Sequence, residues 1–174
     1  MMDKKSCDAK VHFMFEKMRR FRQALSFEEC SEVLRQGTSG VLAVYDGQTP
    51  YAVPLSYVWD GEKIFFHCAK AGHKLDAIAH NDSVSFCVIG LDDVHGAEYT
   101  TYFRSVIVFG KVRVLTDDGE RRRALELLSQ RYRPGFEEEM HAAIERDLAR
   151  VCVVEISAEH ISGKQSVRLI RPGD

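Results

Sequence analysis

The sequence predicts a mainly β fold of the α+β class, an antiparallel β-barrel with flanking helices. Three observations carry that expectation. The expected elements run helix, three strands, helix, two strands, two helices, strand, so strands follow strands instead of alternating with helices. Asp46-Gly47 and Asp60-Gly61 separate apolar runs, and Asp-Gly between two such runs marks a tight antiparallel turn. Residues 101–115 (TYFRSVIVFGKVRVL) are dense in β-branched and aromatic side chains, which suit a pleated, half-buried surface.

Taken in order, Ser26 opens the first helix, with Glu29 three residues later in a capping-box arrangement. Phe27, Cys30, Val33 and Leu34 form its apolar stripe, and Gly37 ends it. Residues 40–46 (GVLAVYD) and 51–59 (YAVPLSYVW) read as strands. Pro54 has no N–H to give a ladder, so the second of these is expected at a sheet edge, at a bulge, or open there to something other than a neighbouring strand. Residues 62–69 (EKIFFHCA) make a third strand and lead into a short helix carrying Lys74. Residues 83–90 form a fourth strand, 91–101 a loop, and 101–115 a fifth strand. Asp117 or Asp118 caps a helix that reaches Tyr132 and is broken by Pro134-Gly135. Residues 136–148 form another helix, with Glu137, Glu138 and Glu139 at its positive end. The last strand is expected over 150–157, ahead of EHISGKQS and a polar tail.

A chain of 174 residues suits one domain. Its expected limits are 24–166, with a basic, partly mobile N-terminal arm over 1–23 and a polar tail over 167–174. An apolar share of 45% and ten phenylalanines are enough for a sizeable core. The formal charge of −2 argues against a nucleic-acid partner. Five cysteines, scattered and without a C-x-x-C pair, read as reduced thiols, with Cys68, Cys87 and Cys152 expected buried in strands. The N-terminus lacks the apolar core of a signal peptide, and no run approaches the roughly 18 residues of a membrane span. A soluble cytoplasmic protein without a membrane partner is therefore expected.

Residues 64–81 (IFFHCAKAGHKLDAIAHN) carry the candidate site. An apolar strand breaks into a polar turn and a helix, with His67, Ala69, Gly72 and Lys74 at the spacing H-x-A-x-x-G-x-K. The first N–H groups of a helix lack backbone partners and carry partial positive charge, so such a turn can hold an anion. Gly72 allows close backbone approach, and Lys74 and His73 add side-chain donors. The plain alternative is an ordinary connection with solvated charges. Nucleotide-binding glycine loops, zinc-protease and nucleophile-elbow motifs are absent. No metal is expected, because His67 and Cys68 are strand neighbours and point to opposite faces. The segments 53–57, 67–74 and 104–111, if adjacent, would combine a phosphate end with a flat apolar slot, which suits a phosphorylated aromatic cofactor. Arg121, Arg122 and Arg123 read as solvated helix surface.

PYAVPLSYVWDGEKIFFHCAKAGHK, then YFRSVIVFGKV, then EHISGK resemble the nitroimidazole-resistance branch of the pyridoxamine 5′-phosphate oxidase-related flavoproteins. The resemblance covers about residues 21–164 and keeps the H-x-A-x-x-G-x-K element whole. Ser162 stands where a threonine is common. The resemblance implies a split β-barrel, FMN as cofactor, and a homodimer with flavin at the subunit interface. It assigns the FMN phosphate to Lys74 and the Gly72–His73 turn, with Ala69 in the same element. Val53, Pro54, Leu55 and Ser56 would run along the isoalloxazine, Ser105 would sit near the ring or ribityl chain, and His67 would be the active-centre histidine. The activity implied is an FMN-dependent oxidoreductase acting on an electron-poor small molecule such as a nitroaromatic compound. A flavin-binding or sensing module without turnover is the alternative, as is a barrel holding haem or a deazaflavin. Pyridoxamine phosphate oxidation is less expected, since Arg168 and Arg171 are the only arginines placed to clamp a second phosphate.

Overall fold

The computed structural model describes residues 18–170. Almost all of the expected N-terminal arm, and residues 171–174 of the tail with Arg171, lie outside them. Helix α1 (Phe27–Gln36) begins as its sequence dictates: Ser26 Oγ accepts the Glu29 N–H, and the Glu29 carboxylate accepts the Ser26 N–H at 2.8 Å. Cys30, Val33 and Leu34 are buried, whereas Phe27 is exposed and does not belong to the packed stripe.

Strands β1 (Ser39–Tyr45), β2 (Pro50–Ser56), β3 (Val58–Trp59) and β4 (Lys63–Ala69) follow, then helix α2 (His73–His80). Strands β5 (Ser83–His95) and β6 (Thr100–Val114) come next, then helices α3 (Asp118–Tyr132) and α4 (Glu137–Asp147), and strand β7 (Val151–Gln165) closes the order. The mainly β, α+β expectation holds. All strand pairs are antiparallel in one seven-stranded sheet of order β2-β1-β5-β6-β7-β4-β3. The two ends of that order, β2 and β3, are consecutive in the chain and separated by Tyr57 alone, so the sheet curls round until its ends meet at one residue. Pro54 lies on β2, an edge strand, as its missing N–H requires.

Three boundaries and one surface assignment differ from the expectation. The stretch 51–59 is two strands, because Tyr57 breaks it. The segment 91–101, expected as a loop, is mostly strand: pairing resumes after Gly90 with Leu91 opposite Arg104 and continues to His95 opposite Thr100. That one-residue shift is a β-bulge, which carries the strand past a glycine and into an extended arm. The last strand likewise runs on through EHISGKQ to Gln165, pairing Ser105 with Lys164. Arg121 and Arg122 are not plain solvated surface. Arg121 donates to the carbonyls of Leu148 and Val151, and Arg122 pairs with Glu145, tying α3 to α4 and to the start of β7.

The core has two parts. Inside the curled sheet, Leu42, Phe66, Phe86, Val88, Val106, Val108 and Ile156 pack with Leu34 of α1. Gly163 belongs to this packing, since a Cβ there would lie 2.3 Å from Cys30 Sγ. Tyr57 is fully buried, and its hydroxyl donates to the Leu34 carbonyl at 2.7 Å. Outside the sheet, Val58, Phe65 and Val153 are covered by Ala124 and Leu128 of α3. Cys30 and Cys152 are buried free thiols, while Cys68 and Cys87 are only half-buried.

Candidate functional site

Strand alternation decides which residues can meet. On β4, Phe65, His67 and Ala69 share the outer face, while Phe66 and Cys68 point inward. The H-x-A spacing is thus one face of a strand. On β2, Pro54 and Ser56 are exposed on the outer side, while Val53 and Leu55 pack against the interior cluster. Val58 pairs with Phe65.

Ser56 and His67 form one wall of a cavity of about 430 Å³. The facing wall comes from α3 and α4: Leu125, Leu128, Tyr132, Phe136, Met140 and Ala143, with Ser129, Arg133 and Glu139 as its other polar members. Arg133 pairs with Glu139 and lies 4.1 Å from the centre of the Phe136 ring, which closes the rim with a stacked cation. Tyr132 was not singled out in the sequence. Its hydroxyl accepts the Tyr57 N–H at 3.0 Å and lies 2.7 Å from the carbonyls of both Tyr57 and Thr38. No local pattern signals this role, because the partners are some 75 residues apart in sequence.

At the end of β4 the chain turns through Gly72, whose φ is +136°. Helix α2 starts there without a side-chain cap, in contrast to the caps that Ser26 gives α1 and Asp117 gives α3. A Cβ added to Gly72 would meet nothing within 4 Å, so the approach to the first turn of the helix is open. Lys74 is half-buried in that turn. A helix start of this kind leaves backbone N–H groups without partners, and such groups can meet an anion.

His73 is placed differently from Lys74. Its Nε2 lies 2.8 Å from Asp46 Oδ2, and its ring packs tilted against Tyr51 with centroids 4.5 Å apart. The β1–β2 turn is therefore clasped to the start of α2. The Thr49 N–H, then His73, then the Gln48 N–H hold the Asp46 carboxyl down at about 2. Of the remaining candidates, Ser105 does not join the others within one chain. It lies on β6, separated from β2 by β1 and β5 and from β4 by β7. The structure sets Ser56 and His67 in one cavity wall, with Ala69 on the same face of β4 as His67 and with Gly72 and Lys74 in the turn and helix start that follow.

Known proteins share this fold. A candidate 5-nitroimidazole antibiotic resistance protein from Bacteroides thetaiotaomicron is 19% identical with a TM-score of 0.68, covering 82% of this chain and 86% of its own. An FAD- and haem-binding protein from Mycobacterium smegmatis is 24% identical with a TM-score of 0.74, covering 88% and 77%. An FAD-binding protein from Mesorhizobium loti is 25% identical with a TM-score of 0.61, covering 83% and 97%. No curated protein matches the chain by sequence. Among the described residues, no helix is long and apolar enough to cross a membrane. The family model described as pyridoxamine 5′-phosphate oxidase matches residues 26–165, and the chain belongs to that family.

Proposed function

We propose that this protein binds FMN and uses it to reduce small, electron-poor molecules such as nitroaromatic compounds. The observation that carries the reading is the uncapped start of α2, with the open Gly72 backbone and Lys74 beside it. A terminal phosphate would accept from the amides of the turn and from Lys74. The edge of β2 at Pro54 and Ser56 adjoins this anion site, and the apolar cavity beyond His67 has room for a flat ring. The family and the flavin-binding relatives above support the same assignment.

Bound flavin would supply the electron-transfer chemistry. The chain's own part is to hold and to shield. Lys74 balances phosphate charge, and Leu125, Phe136 and Met140 keep water from the slot. His67 stands in the cavity wall, where an imidazole can give a proton to a reduced acceptor. The same proposal includes a homodimer with flavin at the subunit interface. Ile89, Val94 and Tyr99 are 63%, 72% and 97% exposed along the β5–β6 arm, an apolar surface suited to a second copy. Ser105, remote from His67 in its own chain, would enter a site only from such a copy.

A second reading, a haem protein, is favoured by one observation: an imidazole on the wall of an apolar cavity, with a haem-binding relative of the same fold. The absorption spectrum of the purified protein separates the two. Flavin gives bands near roughly 370 and 450 nm, and haem a sharp Soret band. Oxidation of NADH or NADPH with a nitroaromatic acceptor then tests turnover. A colourless protein that neither quenches added FMN fluorescence nor melts higher with it would refute the flavin assignment.

A further inference from the structure

The register of β4 and β7 sets Cys68 directly opposite Cys152. Directly opposed residues in an antiparallel pair have Cα atoms about 4.5–5.5 Å apart, inside the roughly 4.4–6.8 Å spanned by disulfides. Both side chains lie on the inner face of the sheet, where Cys152 belongs to the core cluster and Cys68 packs against it. The other described cysteines have no such partner: Cys87 pairs with Ile107 and Val41, and Cys30 lies against the Leu25 carbonyl. We propose that Cys68 and Cys152 are an oxidisable dithiol that a hydroperoxide closes into a cross-strand disulfide. The proposal does not depend on the flavin reading.

Cys68 is the attacking thiol, because it is half-buried while Cys152 is 8% exposed. Its thiolate attacks one oxygen of hydrogen peroxide, giving a sulfenic acid and hydroxide. The Cys152 sulfur then attacks the Cys68 sulfur, the S–S bond forms and water leaves. Two thiols and one peroxide become one disulfide and two waters. Burial, reinforced by Cys152 and opposed by Lys74, pushes the Cys68 thiol up to about 11. Closure is therefore slow at neutral pH and accelerates as pH rises, following the thiolate fraction. The bond would tie the last turn of β4 to β7 directly beneath His67 and Ala69.

The test treats the full chain with hydrogen peroxide at pH 7, 8 and 9, then blocks free thiols and maps peptides by mass. The expected result is a linked Cys68–Cys152 peptide, two hydrogens lighter than the sum of its parts and restored by dithiothreitol. Its yield should rise with pH as above. In Cys152→Ala the sulfenic acid on Cys68 should persist and be trapped by dimedone. Oxygen added to Cys68 in the wild type without a link, links only among other cysteines, or no reaction at pH 9 would each overturn the proposal. The wild-type peptide map decides even if Cys152→Ala fails to fold.

Discussion

The Tyr132 hydroxyl lies 3.0 Å from the Tyr57 nitrogen and 2.7 Å from its carbonyl oxygen. One phenol from α3 thus meets both polar groups of the residue at which the sheet ends join. It also fixes the helix that forms the far wall of the cavity.

Removing that hydroxyl leaves the Tyr57 N–H without its acceptor in a part-buried place. Tyr132→Phe is expected to cost about 1–3 kcal/mol, the usual penalty for stranding a buried polar group. A urea unfolding curve reads this as a lower midpoint at unchanged slope. An unchanged midpoint would show that the contact contributes nothing to the fold.

Gly72→Ala meets open space, so any effect comes from the backbone, not from a clash. At a φ of +136° an L side chain is strained by about 1–3 kcal/mol. Loss of stability together with weaker FMN binding is expected. Wild-type stability and affinity in Gly72→Ala would contradict the conformational role given to this glycine.

The clasp between Asp46 and His73 has a definite pH sign. The Asp46 carboxyl sits at about 2 in the folded chain, below the roughly 3.9 of an unfolded aspartate. Its contribution is therefore fully present above about pH 4 and is lost as pH falls towards 2. Asp46→Asn should flatten the melting-temperature profile across that window while leaving the profile's neutral shape intact. Parallel acid limbs in wild type and variant would remove Asp46 from the account.

His67→Ala enlarges the cavity without touching the turn at Gly72. Flavin content is expected to stay near the wild-type level while the rate of acceptor reduction falls by about 10²–10⁴-fold, the usual worth of a positioned proton donor. Full turnover in the variant would strip His67 of that role.

Local chemistry made much of this fold legible, and tertiary pairing hid the rest. The Ser26–Glu29 capping box, the Asp117 cap and the Asp60-Gly61 turn each act within a few residues, so composition alone exposes them. Pro54 announced an edge because a missing N–H has few other places to go. The strand over Leu91–His95 was missed because Asp92, Asp93 and Gly96 look like a loop, and the segment draws its order from pairing across to Thr100–Arg104. Within the site, His67 and Ala69 share a face of β4 by simple alternation. Tyr132 could not be foreseen, and the remoteness of Ser105 becomes visible only once the strand order is known.

The most direct test compares FMN with riboflavin, which differ by the phosphate alone, on wild type and Lys74→Ala. If the turn at Gly72 and Lys74 holds that phosphate, wild type should prefer FMN. The substitution should then weaken FMN by about 10- to 100-fold, as for a lost charged hydrogen bond, while riboflavin affinity stays put. Equal affinity for the two flavins, or an equal loss for both in Lys74→Ala, would contradict the account.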